Sequence, residues 1–191
     1  MGGEHVRLVV GITGASGAVY GLRLLQVLRE LKVETHLIVS RTAEKLVSHE
    51  LNLSLDEVKA LASRCYDFED LMAPVASGSF EIGGVVVIPC SMKTLAGVAS
   101  GYSDNLLLRA VDVSLKERRR VVLVVREMPF SLIHLENMVR VTRAGGVVVA
   151  ASPGFYHKPE SLGDAVDHVV GKVLDLFHLE HTLYKRWGSE T

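Results

Sequence analysis

A chain of 191 residues, 48% hydrophobic and 23% charged, has apolar material for one sizeable core and too little length for two independent domains. Its formal net charge of −1 gives no electrostatic ground for nucleic acid or an anionic membrane as partner. No apolar run is long enough to cross a bilayer, no signal-peptide pattern opens the chain, and Cys65 and Cys90 form no CxxC or other metal-ligand spacing, so a reduced, cytoplasmic setting is expected. Met1-Gly2 opens like a myristoylation site, but Val6 stands where that signal needs Ser or Thr.

In chain order, Val6–Ile12 reads as a first strand, nearly continuous in apolar and β-branched residues. Ala18–Glu30 follows with helical period, placing Val19, Leu22, Leu25 and Leu28 on related faces. Val33–Val39 is a second strand, and 43–63 a helical region interrupted near Asn52–Ser54. Val85–Pro89 is the third strand, before a long helix, Thr94–Glu117, bent near Ser100-Gly101. The Arg118-Arg119-Arg120 run reads as a favourable helix C-terminus before strand Val121–Val125. Phe130–Arg143 is a helix leading to Gly146–Ala151, the fifth strand. The last helix carries an unbroken stripe from Leu162 to Phe177, and Ser161 with Asp164 fits a capping box at its start.

Strands apolar on both faces belong in a parallel sheet between helical layers. The expected fold is therefore a three-layer α/β domain, Rossmann-like or flavodoxin-like, with a mostly parallel sheet flanked by helices. One domain spans 1–191, and the tail from about 178 to 191, with the lone Trp187, is a candidate subunit contact.

Ligands of such sheets bind beyond the carboxyl ends of the strands. After the first strand, Thr13-Gly14-Ala15-Ser16-Gly17 suits a phosphate: glycine lets the backbone approach closely, and the next helix offers free N–H groups. The spacing is G-x-x-G-x-x-G, a weak signal by itself. The second strand ends at Ser40-Arg41 with no carboxylate for an adenosine ribose, which argues for FMN over a dinucleotide. Ser40 can serve the ribityl chain or simply cap the next helix. The third strand runs into Ser91, Met92, Lys93 and Thr94, a second polar cradle or a second plain cap.

The segments "TGASGAVYGLRLL", "APVASGS", "PCSMKTLAGVASG", "RAVDVSLKERR", "VVREMPFSLIHLENM" and "SPGFYHKP" occur in the order and spacing of one family. From about Val6 to Trp187 the chain resembles the flavin prenyltransferase (UbiX-like) family, whose members were formerly called aromatic acid decarboxylases. The resemblance implies a Rossmann-like homo-oligomer, typically a dodecamer, that needs no metal. It joins a prenyl group from dimethylallyl monophosphate to N5 and C6 of reduced FMN, which is a substrate. The prenylated FMN passes to a UbiD-type decarboxylase, in routes such as ubiquinone synthesis. By matching motif, Gly14, Ala15, Ser16, Ser40, Ser91, Met92, Lys93, Thr94 and Arg126 hold FMN. Tyr156 and Lys172 bind dimethylallyl phosphate, and Glu50, Arg109, Lys116 and Glu127 surround the reacting centre, with Glu50 or the departing phosphate as base. Many relatives carry arginine where this chain has Lys172, and lysine lacks the planar fork that grips phosphate bidentately.

Each residue also has an ordinary reading. Arg126-Glu127 can be an ion pair, and Arg109, Lys116, Glu50 and Lys172 solvated helix charges. Tyr156 can anchor a loop, Cys90 can be a packed thiol, and His178 and His181 flank Glu180 without a third metal ligand. Two other functions compete. One is an FMN carrier without transferase activity; the other is a flavin-dependent cysteine decarboxylase, for which His49 is the only candidate base in its segment.

Overall fold

The computed structural model describes residues 6–188; Met1-Gly2 and the last three residues of the tail lie outside them. Six strands form one sheet: β1 (Arg7–Ile12), β2 (Glu34–Val39), β3 (Arg64–Tyr66), β4 (Gly84–Cys90), β5 (Arg120–Val125) and β6 (Val147–Ala150). Their order is β3-β2-β1-β4-β5-β6, and every pairing is parallel. Every residue of β4 is buried, as a central strand covered on both faces requires.

Side chains alternate between two apolar layers. Val10, Ile12, Val86 and Ile88 face one, completed by α1 (Ala18–Glu30), α2 (Arg41–Leu51), α3 (Leu55–Lys59) and α7 (Leu162–Leu176). Val9, Val85, Val87 and Cys90 face the other, completed by α4 (Met92–Ser100), α5 (Leu106–Lys116) and α6 (Leu132–Arg143). Leu24, Leu25 and Leu28 of α1 are 0–1% exposed, and truncating any of them to alanine should cost about 2–5 kcal/mol. Gly21 lets α1 lie directly on β4, since a Cβ there would stand 2.7 Å from the Ile88 carbonyl oxygen.

Three features depart from the sequence reading. The strand β3 has three residues, of which Arg64 and Cys65 are exposed, and pairs only with β2. Its entry is fixed instead by two side-chain bonds: the Thr35 N–H donates to Ser63 Oγ (3.1 Å) and the Ser63 N–H to Thr35 Oγ1 (3.0 Å). Ser63 therefore leaves the helical region, whose second part stops at Lys59. The long helix is two helices: Gly101 ends α4 at φ 69°, and Asn105 starts α5 by accepting a bond from the Leu108 N–H at 3.0 Å. The arginine run does more than complement a helix end. Arg119 donates to the carbonyls of Phe80 (2.8 Å) and Gly78 (2.7 Å), and Arg120 opens β5 and reaches the Leu176 carbonyl.

Candidate active site

The strand order runs outward in both directions from the β1–β4 pair, so the crevice above these strands is the topological switch point where α/β sheets take ligands. Thr13, 1% exposed, closes its floor: its hydroxyl donates to the Pro89 carbonyl (2.8 Å) and accepts from the Ser91 N–H (2.8 Å). The glycine loop includes Thr13, yet a threonine beside a glycine carries no signal of a cross-strand partner 76 residues away.

Around this crevice three helices start. Gly17 precedes α1 at φ 106°, and the neighbouring Gly14 packs so closely that a Cβ would sit 2.7 Å from Thr42 Cγ2. Ser40 caps α2, accepting from the Ala43 N–H at 3.3 Å, and Ser91 caps α4, accepting from the Thr94 N–H at 3.3 Å. The capping roles of both serines are thus realised, and each retains a hydroxyl proton to donate. Ser91 Oγ and Thr94 Oγ1 lie 3.1 Å apart, with Met92 and Lys93 between them in the first turn of α4.

The start of α1 differs from the sequence expectation of free N–H groups. Glu50 Oε2, from the end of α2, accepts from the Gly17 and Ala18 N–H groups, both at 2.9 Å. Burial alone would raise the Glu50 carboxyl, but those two N–H groups, the Ser16 hydroxyl and the Arg126 guanidinium outweigh it and hold it below its ordinary 4.5. Ser16, Glu50 and Arg126 therefore share one neighbourhood, although they come from three separate segments. Arg126 follows β5 directly, its N–H donating to the Cys90 carbonyl at 3.4 Å.

The donor set fits a flavin mononucleotide. The N-termini of α2 and α4 and the Arg126 cation suit its phosphate, and the hydroxyls of Ser16, Ser40, Ser91 and Thr94 suit its ribityl chain.

Two clefts meet beside this crevice at Ala150 and Ser152. One, of about 370 Å³, is lined by Arg126, Glu127, Met128, Pro129 and Phe130. The other, of about 220 Å³, is lined by Val149, His168, Val169 and Lys172. Glu127 is exposed and accepts from the Met128 N–H at 3.1 Å. Lys172, 52% exposed at its side chain, stands 3.4 Å from Asp175 Oδ2. Tyr156 lies above α7, its hydroxyl 3.2 Å from His168 Nε2.

Asp175 gathers the tail. It accepts from the Tyr184 hydroxyl (2.6 Å), Arg186 Nη2 (2.7 Å) and His181 Nε2 (3.2 Å). Burial opposes its charge, but the Tyr184 and Arg186 bonds overcome this and hold it well below the usual carboxylate range. The tail residue Trp187 meets Tyr156 edge to face at 5.6 Å. Nothing in the sequence marks His168, Asp175 or Tyr184 for a role. His168 sits in an apolar stripe that reads as core, and Asp175 shows its significance only once the tail folds back.

Other expected residues lie elsewhere. The helix α5 descends from the carboxyl edge of the sheet toward its amino edge, where Lys116 pairs with Glu117 shortly before β5 begins. Arg109 donates to the Ala76 carbonyl (3.2 Å) and to Asp112 Oδ2 (2.8 Å). Neither cation lines either of the two clefts. Cys90 is fully buried, and burial pushes its thiol up to about 12, as a packed thiol requires. His49 is exposed in the last turn of α2. His181 is committed to Asp175 and to the Leu183 N–H (3.2 Å), and among the described residues no group of three or more potential ligands could hold a metal ion. Among the same residues, no helix is long and apolar enough to cross a membrane.

Comparison with known proteins agrees with this geometry. The family profile described as Flavoprotein matches residues 3–184. The flavin prenyltransferase UbiX of Methanocaldococcus jannaschii is 46% identical over 96% of this chain and 100% of its own length. AnUbiX (PadA1), crystallised in complex with FMN and dimethylallyl pyrophosphate, superposes with a TM-score of 0.96 at 48% identity, covering 98% of this chain and 100% of that one. A dodecameric FMN-dependent UbiX-like decarboxylase from Escherichia coli O157:H7 gives 0.94 at 51% identity, over 96% of this chain and 100% of that one. With its hydroxyl-lined switch-point crevice and near-complete coverage of these relatives, the chain belongs to the flavoprotein family and, within it, to the UbiX-like flavin prenyltransferases.

Proposed function

We propose that this chain transfers a dimethylallyl group from dimethylallyl monophosphate to N5 and C6 of reduced FMN, working in the cytoplasm as a single-domain subunit. The observation that carries this reading is the meeting of the Arg126 and Lys172 clefts at Ala150 and Ser152, beside three helix starts rich in hydroxyls. Bound there, the reduced flavin supplies the electron-rich N5 and C6 centres.

Breaking the allylic C–O bond leaves positive charge on the prenyl fragment and negative charge on the departing phosphate. Lys172 and the Tyr156 hydroxyl receive that phosphate, and Arg126 supplies further positive charge along the adjoining cleft. The apolar walls from Met128 to Phe130 and at Val149 and Val169 limit capture of the cation by water. The bond to N5 uses up the allylic charge and frees the N5 proton, which the departing phosphate returns to the prenyl double bond to make the carbon that C6 attacks. C6 then sheds its own proton from a cationic adduct, so a weak base suffices. Glu50, ionised on the α1 start, takes it up beside Ser16.

Arg109 and Lys116 serve this chemistry from a second copy. The reading is supported by their own partners, Ala76 and Asp112 for Arg109 and Glu117 for Lys116, none of which lines the two clefts, and by the exposed apolar face of α6, where Leu132 is 70% and Ile133 68% exposed. A dodecamer like that of the E. coli relative would cover such a face. The product, a modified flavin, is passed to a UbiD-type decarboxylase. A carrier without transferase activity is the competing reading, and phosphate release separates the two. Under nitrogen, inorganic phosphate should appear from dimethylallyl phosphate only when reduced FMN and protein are both present. Tight FMN binding with no phosphate released would instead establish the carrier.

A further inference from the structure

The His168 ring is 7% exposed on α7, one helical turn before Lys172, and both line the same cleft. Its two nitrogens have fixed partners from the irregular segment after β6: Nδ1 lies 3.1 Å from the Gly154 backbone nitrogen and Nε2 lies 3.2 Å from the Tyr156 hydroxyl. A backbone N–H can only donate, so Nδ1 carries a lone pair and the ring's proton resides on Nε2. That proton points at Tyr156. The tyrosine oxygen therefore accepts from His168 and keeps its own hydrogen for another acceptor.

The ring has little freedom to choose otherwise. The His157 ring stacks on it at 4.8 Å with planes 4° apart, Tyr184 leans on it at 4.8 Å, and Tyr156 meets it edge-on at 5.5 Å. A Cβ on Gly154 would come within 3.2 Å of both His168 Cε1 and Nε2, so any larger residue there would push the ring aside by a few tenths of an ångström. The charged and titratable groups facing the ring are Lys172 and Asp175 on its own helix, His157 and Tyr156 on the preceding loop, and Tyr184 on the tail. Adding a proton at Nδ1 would break the Gly154 bond and set a second positive charge beside Lys172.

We propose that His168, as the neutral Nε2–H tautomer, is a positioning residue that holds the Tyr156 hydroxyl as a hydrogen-bond donor toward the phosphate of the prenyl donor. This rests on the reading of Tyr156 as a donor ligand. Phenylalanine at 168 would keep the ring stack and lose both bonds. Glutamine would keep both, since its carbonyl can accept from Gly154 and its amide can donate to Tyr156.

The test measures KM for dimethylallyl monophosphate with reduced FMN, and FMN affinity separately, between about pH 5 and 8. It compares the wild type with H168F, H168Q, Y156F and the H168F/Y156F double variant. The expected result is a rise in donor KM of about five- to tenfold in H168F, with FMN affinity unchanged. H168Q should stay within about twofold of wild type, and H168F should add nothing in the Y156F background. Desolvation by burial, with help from His157 and Lys172, keeps the His168 pKa below 6.5. Protonation of the donor phosphate, at about pH 6, raises KM in both proteins, so wild-type donor KM should rise further on the acid side and H168Q should show only the shared part. Impairment of Y156F with an unchanged H168F, or equal losses in H168F and H168Q, would overturn the role of His168. An unaffected Y156F would overturn the donor-ligand reading beneath it. Should H168F fail to fold, the pH comparison of wild type with H168Q decides: an identical acid rise in both contradicts the proposal.

Discussion

Replacing Glu50 with glutamine keeps the shape of the side chain and removes its charge from the start of α1. Glu50 Oε2 holds two N–H groups at 2.9 Å each, and both bonds are charge-assisted. Exchanging them for neutral amide bonds, and losing the favourable charge at a helix N-terminus, should cost about 1–2 kcal/mol at neutral pH. For a chain of this length that is a fall in Tm of about 2–8 °C. The pH dependence gives a second check. The folded-state pKa of Glu50 is depressed below 4.5, so its contribution is present above 4.5 and is lost as pH falls through the folded value. The stability gap between wild type and E50Q should therefore be full at pH 7 and close progressively in acid. Because Glu50 is also assigned the proton released at ring closure, E50Q should bind FMN normally yet lower kcat by about 100-fold. Thermal unfolding from neutral to acid pH, with single-turnover prenyl transfer on the same preparations, reads both effects. A gap that does not change with pH would refute the capping argument. Prenyl transfer by E50Q at the wild-type rate would refute the role as base.

Lys172→Arg should lower KM for the donor severalfold at little cost to kcat, because the guanidinium fork can grip phosphate bidentately; steady-state kinetics at fixed FMN would show it. Asp175→Asn should loosen the tail, raising trypsin cleavage at Lys185 and Arg186 and lowering stability by about 2–3 kcal/mol. This loss should be present above pH 3.8 and fade below it, since the folded carboxyl is depressed from that value. Thiol titration of the native protein should report Cys65 alone, because Cys90 is buried with its pKa pushed up to about 12; denaturant should release the second thiol.

The central fold was legible because its strands are buried on both faces. Val85–Val87 and Val121–Val125 leave no polar alternation to mislead, and the glycine at 17 and serines at 40 and 91 mark where helices begin. The strand β3 was not legible, since Arg64–Tyr66 is too short for a period and is held by the distant pair Thr35 and Ser63. The break between α4 and α5 was half legible. Gly101 announced a bend, but only the Asn105 cap turns the bend into a new helix start. At the site, residues on strand ends could be found from position in the pattern. The seat of the Glu50 carboxylate on Gly17, 33 residues away in the chain, could not, and neither could the two bonds of His168, because both arise only when separate segments pack.

The most direct measurement is the mass of the flavin after anaerobic incubation of the protein with reduced FMN and dimethylallyl monophosphate. The flavin should gain one five-carbon unit, at a rate that collapses in E50Q. A flavin of unchanged mass, recovered from protein that binds it tightly, would contradict the assignment of prenyl transfer to this chain.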